Sequence, residues 1–322
     1  RALPDLNDNI KCGNSLIGWD YFEGQLIPDE DEVARVNPFD WEKGFPEVFA
    51  SEASGGFDAV ISNPPYGAHF QEKAHEYLRE LYSTYNLRGE SYILFTEKSI
   101  NNLKIGGQFG FILPDTYLNL GFTKILRQFI LQNSKIREVV ILPSSIFSSA
   151  TVDTTLLFVE KYKQSNEYFK NEINVKLFYK RLSVSTLNNP IKNFNISSER
   201  WFTQKVFSVH STERDNEILD KIETINRKIT EFVDFFSGIK TYEIGKGYPP
   251  QTKSIREVKP YTSNQKEDAD FSPFYNGKHI GRYQLLWKKD NWINYGEWLA
   301  APRDKENFIG EKILVRKQPQ EI

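Results

Sequence analysis

Between Gly56 and Tyr162, short apolar runs alternate with longer amphipathic stretches, and that alternation is the strongest constraint on the fold. The runs "GFDAVIS" (56–62), "GQFGFILP" (107–114), "IREVVILP" (136–143) and "TTLLFVEKY" (154–162) read as strands. Continuous apolar runs of this kind suit strands covered on both faces, as in parallel sheets. Between them, residues 71–85 read as a helix with a polar face and residues 122–131 as another. "ESYILFTEKSINNLKIGG" (90–107) reads as an amphipathic helix ended by a Gly pair. Strand and helix in alternation predict an open α/β sheet over residues 1–165. "NIKCGNSLI" (9–17) reads as a short strand, and residues 19–55, acidic and aromatic, as a mobile loop.

The pattern then changes. "NVKLFYKRL" (174–182) is strand-like among polar turns. Residues 217–236 place Ile218, Leu219, Ile222, Ile225, Ile229 and Phe232 at helical spacing, which predicts a helix packed on a core. From 237 onward come short strands, aromatics and turn residues. A boundary falls near 200–216.

The 322 residues suffice for one large domain or two ordinary ones. With 39% hydrophobic and 26% charged residues the chain reads as globular, and no apolar run is long enough to span a bilayer. Cys12 is the single cysteine, so no internal disulfide can form and a reducing compartment is the default. One Cys and four His (His69, His75, His210, His279), none at ligand spacing, speak against a metal site. Residues 1–135 carry 12 Lys+Arg against 19 Asp+Glu, whereas residues 136–322 carry 29 against 24. A basic second half suits a polyanionic partner. The chain starts at Arg1 and has no Met, and reads as a piece of a longer protein.

"ISNPPYG" (61–67) closes the first strand. Proline disfavours the helical region for the residue before it, so Asn63 and Pro64 are both pushed to extended geometry. A strand that ends this way leaves the sheet as a stiff arm. Neither Pro64 nor Pro65 has an N–H, so the arm presents acceptors, chiefly the Asn63 amide oxygen and the Pro64 carbonyl. In an open α/β sheet the ligand crevice lies at the carboxyl ends of the strands. Two fixed acceptors beside the flat Tyr66 ring suit a planar ring with an exocyclic amine. Holding both amine hydrogens localises the nitrogen lone pair for attack on an electrophile held in line, so positioning and electrostatics replace a strong base. The bland alternative is a rigid turn with a surface tyrosine.

With these residues in view, "ISNPPYG" resembles motif IV of adenine-N6 DNA methyltransferases that use S-adenosylmethionine. "IKCGNSLI" (10–17) resembles motif III, residues 89–118 the segment of motifs V and VI, and "SSIFSSATVDTTLLFVEK" (144–161) motif VIII. "GIKTYEIGKG" (238–247), "FYNGKHIGRY" (274–283) and "EKILVRK" (311–317) resemble landmarks of a TaqI-like target-recognition domain found in bacterial combined restriction-modification enzymes. The resemblance implies a Rossmann-like methyltransferase sheet over 1–200, incomplete at its N-terminal side, a connecting helix over 201–236 and a mixed α+β recognition domain over 237–322. The glycine-rich motif I is absent; in the gamma order it lies before motif IV, hence upstream of Arg1, and the piece alone is expected to be inactive.

The resemblance further implies that a flipped-out adenine lies between Tyr66 and Phe147, with its amine on Asn63 and Pro64. Asn14, Leu94 and Phe95 match positions facing the cofactor, Asn14 where the family often has an acidic residue. For Leu94, Phe95 and Phe147 an ordinary core role weighs equally. Lys240, Lys246, Lys278, His279, Arg282, Arg316 and Lys317, with Tyr242, Tyr248 and Tyr283 nearby, are the candidates for contact with double-stranded DNA. The expected setting is the bacterial cytoplasm, without a membrane partner, and any nuclease would be fused upstream. A protein-glutamine N5 methyltransferase carries the same tetrad, but the 84 residues after Gly238 argue against it. An RNA base methyltransferase would lack the recognition-domain landmarks, cytosine-N4 enzymes usually carry Ser in place of Asn63, and a non-catalytic DNA specificity module remains the alternative outside enzymes.

Overall fold

The structure is a computed structural model that describes residues 8–50, 55–67, 70–86, 89–143, 146, 152–163, 169–178, 189–225 and 227–316. It divides into two compact units, Arg1–Thr224 and Ile225–Ile322.

The first unit opens with short helices, α1 (Glu30–Val36), α2 (Trp41–Gly44) and α3 (Pro46–Phe49). They occupy the stretch expected to be a loop. Asp29 caps α1 by accepting from the Glu32 N–H at 2.8 Å, and Trp41, Phe45 and Phe49 pack their rings on Phe57. The expected strand at 9–17 is instead irregular chain, tied by a single parallel bridge from Asn14 to Pro38 and by the Phe39 N–H donating to the Ile17 carbonyl.

β1 (Phe57–Ser62), α4 (Glu72–Leu81), α5 (Ser91–Asn102) and β2 (Leu103–Pro114) follow. β1 and β2 pair in parallel, with the two helices as the crossover, a Rossmann-like βαβ unit. α5 runs into β2 without a turn. The Gly pair expected to end the helix lies four residues later, inside β2, where the register against β1 slips between Phe57 and Ala59. Gly106 takes φ +82°, and a Cβ on Gly107 would come within 2.9 Å of the Lys104 and Phe57 carbonyls.

α6 (Lys124–Asn133), β3 (Ser134–Ile141), β4 (Thr154–Lys161), β5 (Glu172–Leu177), β6 (Lys192–Ser197), α7 (Ser198–Gln204) and α8 (Glu213–Ile225) complete the unit. The sheet has the order β1-β2-β4-β3-β5-β6. β4 runs antiparallel to both β2 and β3, β3 and β5 are parallel, and β6 is antiparallel to β5. The sheet is therefore α/β but mixed. Among the described residues β1 pairs with β2 alone, and Ile61 is 88% exposed.

The main apolar cluster, with Ile93, Ile100, Phe111, Leu157, Val175 and Trp201, lies between sheet and helices. A second cluster joins Leu16, Ile17, Tyr21 and Phe22 to Ala74, Leu78 and Leu94. The expected helix over 217–236 is shorter and faces the other way: α8 ends at Ile225, and Ile218, Leu219, Ile222 and Phe232 are exposed. Its polar side faces α7, because Arg200 clasps Asp220 and donates to the Asn216 carbonyl.

The second unit carries α9 (Lys253–Val258) and short strands β7 (Thr262–Ser263), β8 (Phe271–Pro273), β9 (Ile280–Gly281), β10 (Gln284–Leu285) and β11 (Trp292–Asn294). They form a three-stranded sheet β7-β11-β8 and a β9–β10 hairpin.

One buried carboxylate ties the chain before α5 to the helix. Glu97, 4% exposed, accepts from the Ser83 N–H and hydroxyl and from the Thr84 N–H at 2.8–3.0 Å. Glu97→Ala strands those donors, so urea denaturation should show a loss of about 2–4 kcal/mol. A loss within about 0.5 kcal/mol, the range for an ordinary surface change, would contradict this role.

Candidate active site

The arm leaves the sheet where the sequence predicts. β1 and β2 stay in register up to Ser62 opposite Phe111. Beyond that point Asn63-Pro64-Pro65 supplies only one backbone N–H, so the β2 carbonyl that would pair next needs another donor. Tyr66 provides it: its phenol donates to the Ile112 carbonyl at 2.9 Å. The Tyr66 ring meets Tyr92 edge-on, with centroids 6.0 Å apart. Ser91, fully buried at the start of α5, donates its hydroxyl to the Pro65 carbonyl at 2.6 Å. Two side-chain hydrogen bonds therefore hold the arm at its far end, and Pro64 is buried beneath it. Asn63 is exposed and makes no hydrogen bond to another described residue; its amide is available to a ligand.

Of the residues matched to the cofactor side, Leu94 and Phe95 lie on α5. Leu94 is 1% exposed and sits in the second cluster with Leu16 and Ile17. It is a core residue, because its position on α5 faces that cluster. Phe95 is half-buried and packs against both clusters. The Asn14 side-chain oxygen accepts from the Leu16 N–H at 3.1 Å, which uses one of its two lone pairs. Phe147 lies outside the described residues.

Two residues that the sequence reading did not single out belong to this neighbourhood. Ser91 is one; a small hydroxyl residue just before an apolar helix is an ordinary signal, and only the three-dimensional approach to Pro65 reveals its role. Asp115 is the other. It follows Pro114 at the carboxyl end of β2, and its N–H donates to the Asp153 carbonyl at 2.9 Å. Burial and then the nearby Asp153 charge hold its carboxyl above the usual range. No group of His, Cys, Asp and Glu among the described residues could hold a metal ion, and no described helix is long and apolar enough to cross a membrane.

In the second unit the basic candidates differ in kind. Lys240 is ion-paired with Glu243 at 2.7 Å and Lys278 with Asp290 at 3.3 Å. Lys246 and Arg282 are exposed and Arg316 is partly buried; Lys317 lies outside the described residues. His279 is a correction: it is 2% exposed, and its Nδ1 accepts from the Asn276 N–H at 3.1 Å. It builds the turn and presents no surface to a partner. Tyr242 likewise serves the fold, its phenol accepting from the Tyr261 N–H at 2.8 Å, whereas Tyr248 and Tyr283 are 74% and 97% exposed.

Residues 2–147 match the family described as Eco57I restriction-modification methylase. The match contains every arm and cofactor-side candidate, and all the basic candidates lie beyond it. The chain is 30% identical over 210 residues to the type II restriction enzyme and methyltransferase RM.Eco57I of Escherichia coli, covering 63% of this chain and 19% of that protein. It is 23% identical over 309 residues to the putative type II restriction enzyme and methyltransferase RM.MjaORFECS2P of Methanocaldococcus jannaschii, covering 90% of this chain and 23% of that protein. It is 29% identical over 147 residues to the type II methyltransferase M.BstVI of Geobacillus stearothermophilus, covering 45% of this chain and 25% of that protein. The chain thus spans a quarter or less of the length of these curated relatives.

Two outcomes follow from the arm's geometry. Ser91→Ala should lower stability by about 1–3 kcal/mol in urea denaturation, since it orphans the Pro65 carbonyl; an unchanged midpoint would mean that solvent reaches that carbonyl. Burial also pushes the Tyr66 phenol from 10.0 up to about 12. The folded state keeps a proton that the unfolded chain releases near 10.0, so this contribution to stability is complete below that pH and is lost as pH rises toward 12. The tyrosinate absorbance of the parent minus that of Tyr66→Phe should rise near pH 12; a rise at the ordinary tyrosine pH would refute the burial.

Proposed function

We propose that the protein is a site-specific DNA methyltransferase that moves a methyl group from S-adenosylmethionine to N6 of an adenine rotated out of the duplex, as part of a restriction-modification system. The observation that carries the reading is the Asn63 amide, exposed and without a described partner, on an arm fixed by Ser91 and by the Tyr66 phenol. The names of the relatives support it: each is a methyltransferase, and two are also restriction enzymes.

The residues present fit both ligands. The Asn63 side-chain oxygen and the Pro64 carbonyl accept the two amine hydrogens, which concentrates the lone pair on N6. The Tyr66 ring, held through its own hydroxyl, lies against the base. On the cofactor side, Phe95 offers a half-buried edge and Asn14 a remaining lone pair, while Leu94 is packed in the core. Bound there, S-adenosylmethionine would supply an electrophilic methyl on sulfur; Asn63 and Pro64 would aim the N6 lone pair at it, the sulfur would leave as the thioether, and the displaced amine proton would go to solvent. Nothing in this scheme needs a strong base or a metal. Phe147 completes the sandwich around the base. Lys240, Lys246, Lys278, Arg282, Arg316 and Lys317 contact the DNA. In this reading a nuclease segment accompanies the methyltransferase in the full-length chain, in the bacterial cytoplasm.

The test is transfer of labelled methyl from S-adenosylmethionine to mixed-sequence duplex DNA by the full-length protein, followed by digestion to nucleosides. N6-methyladenine is the expected product, and Asn63→Ala should lower its formation about a hundredfold or more. Undiminished transfer by Asn63→Ala, or label recovered on protein glutamine instead, would overturn the proposal.

A further inference from the structure

The β9–β10 hairpin ends in a two-residue turn, Arg282-Tyr283, between the paired residues Gly281 and Gln284. Tyr283 takes φ +57°, in the left-handed region where a turn ordinarily places Gly or Asn and where a bulky residue is an outlier. Its ring is 97% exposed, so no packing within the fold offsets that conformation. The Arg282 guanidinium lies 5.8 Å from the ring centroid, a cation–π approach that leaves the other face of the ring open. The root of the hairpin is firm. The Leu286 N–H donates to the His279 carbonyl at 2.7 Å, and His279 is buried with its Nδ1 accepting from the Asn276 N–H. A flat ring is thus held out on a stiff stalk, against its backbone preference. Residues 271–289 contain Lys278, Arg282, Lys288 and Lys289 and no Asp or Glu; the neighbouring Asp290 pairs with Lys278, which leaves the hairpin region net positive.

We propose that Tyr283 is a wedge that inserts into the base stack of duplex DNA while Arg282 engages the adjoining phosphate. The proposal rests on the DNA reading above and assigns a role that the methylase match, which ends at residue 147, does not reach. An aromatic ring can stack on any base, so the wedge adds affinity without reading sequence. Its hydroxyl plays no part; the ring alone does the work. A wedge of this kind favours a duplex in which a base is already missing, because the space for the ring is then open.

The experiment measures binding of the full-length protein to a mixed-sequence duplex, and to the same duplex carrying one abasic nucleotide, by fluorescence anisotropy over a salt series. Tyr283→Leu should bind the intact duplex about tenfold more weakly than the parent, with an unchanged salt slope. Tyr283→Phe should bind like the parent. The parent should prefer the abasic duplex, and Tyr283→Leu should lose that preference. Binding by Tyr283→Leu equal to the parent would overturn the wedge while leaving DNA binding intact, and Tyr283→Phe as weak as Tyr283→Leu would overturn the role of the ring. A parent that binds neither duplex would overturn the DNA reading itself.

Discussion

The rest of the first unit depends on how a strand end without N–H donors is held. Pro64 and Pro65 stop the β1 ladder, and each carbonyl freed by that stop needs a donor from a side chain. Tyr66 closes the gap on the β2 side and Ser91 secures the far end of the arm. Both donors are spent on backbone, so neither competes for a ligand, and the Asn63 amide is left free. Rigidity and availability thus arise from one arrangement: the prolines remove the backbone option, and fixed side chains replace it. The Tyr66 hydroxyl is engaged while part of its ring is exposed.

α5 converts this local arrangement into a whole. Ser91 and Tyr92 touch the arm, Ile93 and Ile100 enter the main cluster, Leu94 enters the second, and Glu97 holds the turn at 83–84. The helix is apolar on more than one side because it is packed on more than one side. A change on its buried positions, such as Tyr92, Leu94 or Glu97, is therefore felt in the packing beside the arm. This also explains why Leu94 is part of the core while Phe95, one residue on, keeps an edge: consecutive helical positions differ by about 100° in direction, and the boundary between the two clusters falls between them.

Much of this was legible in the sequence. The strands at 57–62, 107–114, 136–143 and 154–162 announced themselves by apolar runs, and the arm by the backbone restrictions of proline. What the pattern could not carry was pairing. β4 follows β3 in the chain yet lies between β2 and β3, and composition holds no signal for an inserted antiparallel strand. The Gly pair at 106–107 is a sound helix-stop signal, but it was outweighed by a β-bulge against Phe57 that only tertiary contact imposes. The stretch at 19–55 misled for a related reason: its aromatics were read as loop composition, whereas they pack on Phe57. Hydrophobic spacing at 218–232 misled in the opposite sense, because the Arg200–Asp220 clasp fixes which side of α8 faces inward. Ser91 and Asp115 carry no local signature; their importance comes from what the fold brings next to them.

The second unit shows why a count of basic residues overstates free charge. Lys240 and Lys278 each face a carboxylate, yet all four partners are substantially exposed, and exposed pairs contribute only about 0–1 kcal/mol. Exchanging such a carboxylate for a phosphate therefore costs little, while the ions released from a polyanion favour the exchange. His279 differs in kind: it is buried, its Nδ1 accepts from the Asn276 N–H, and its Nε2 lies 3.2 Å from the Asp290 carboxylate that Lys278 also faces, at the root of the hairpin from which Tyr283 projects. Exposed ion pairs on the surface and a buried histidine beneath thus contribute in different ways: the pairs are adaptable, the histidine is fixed.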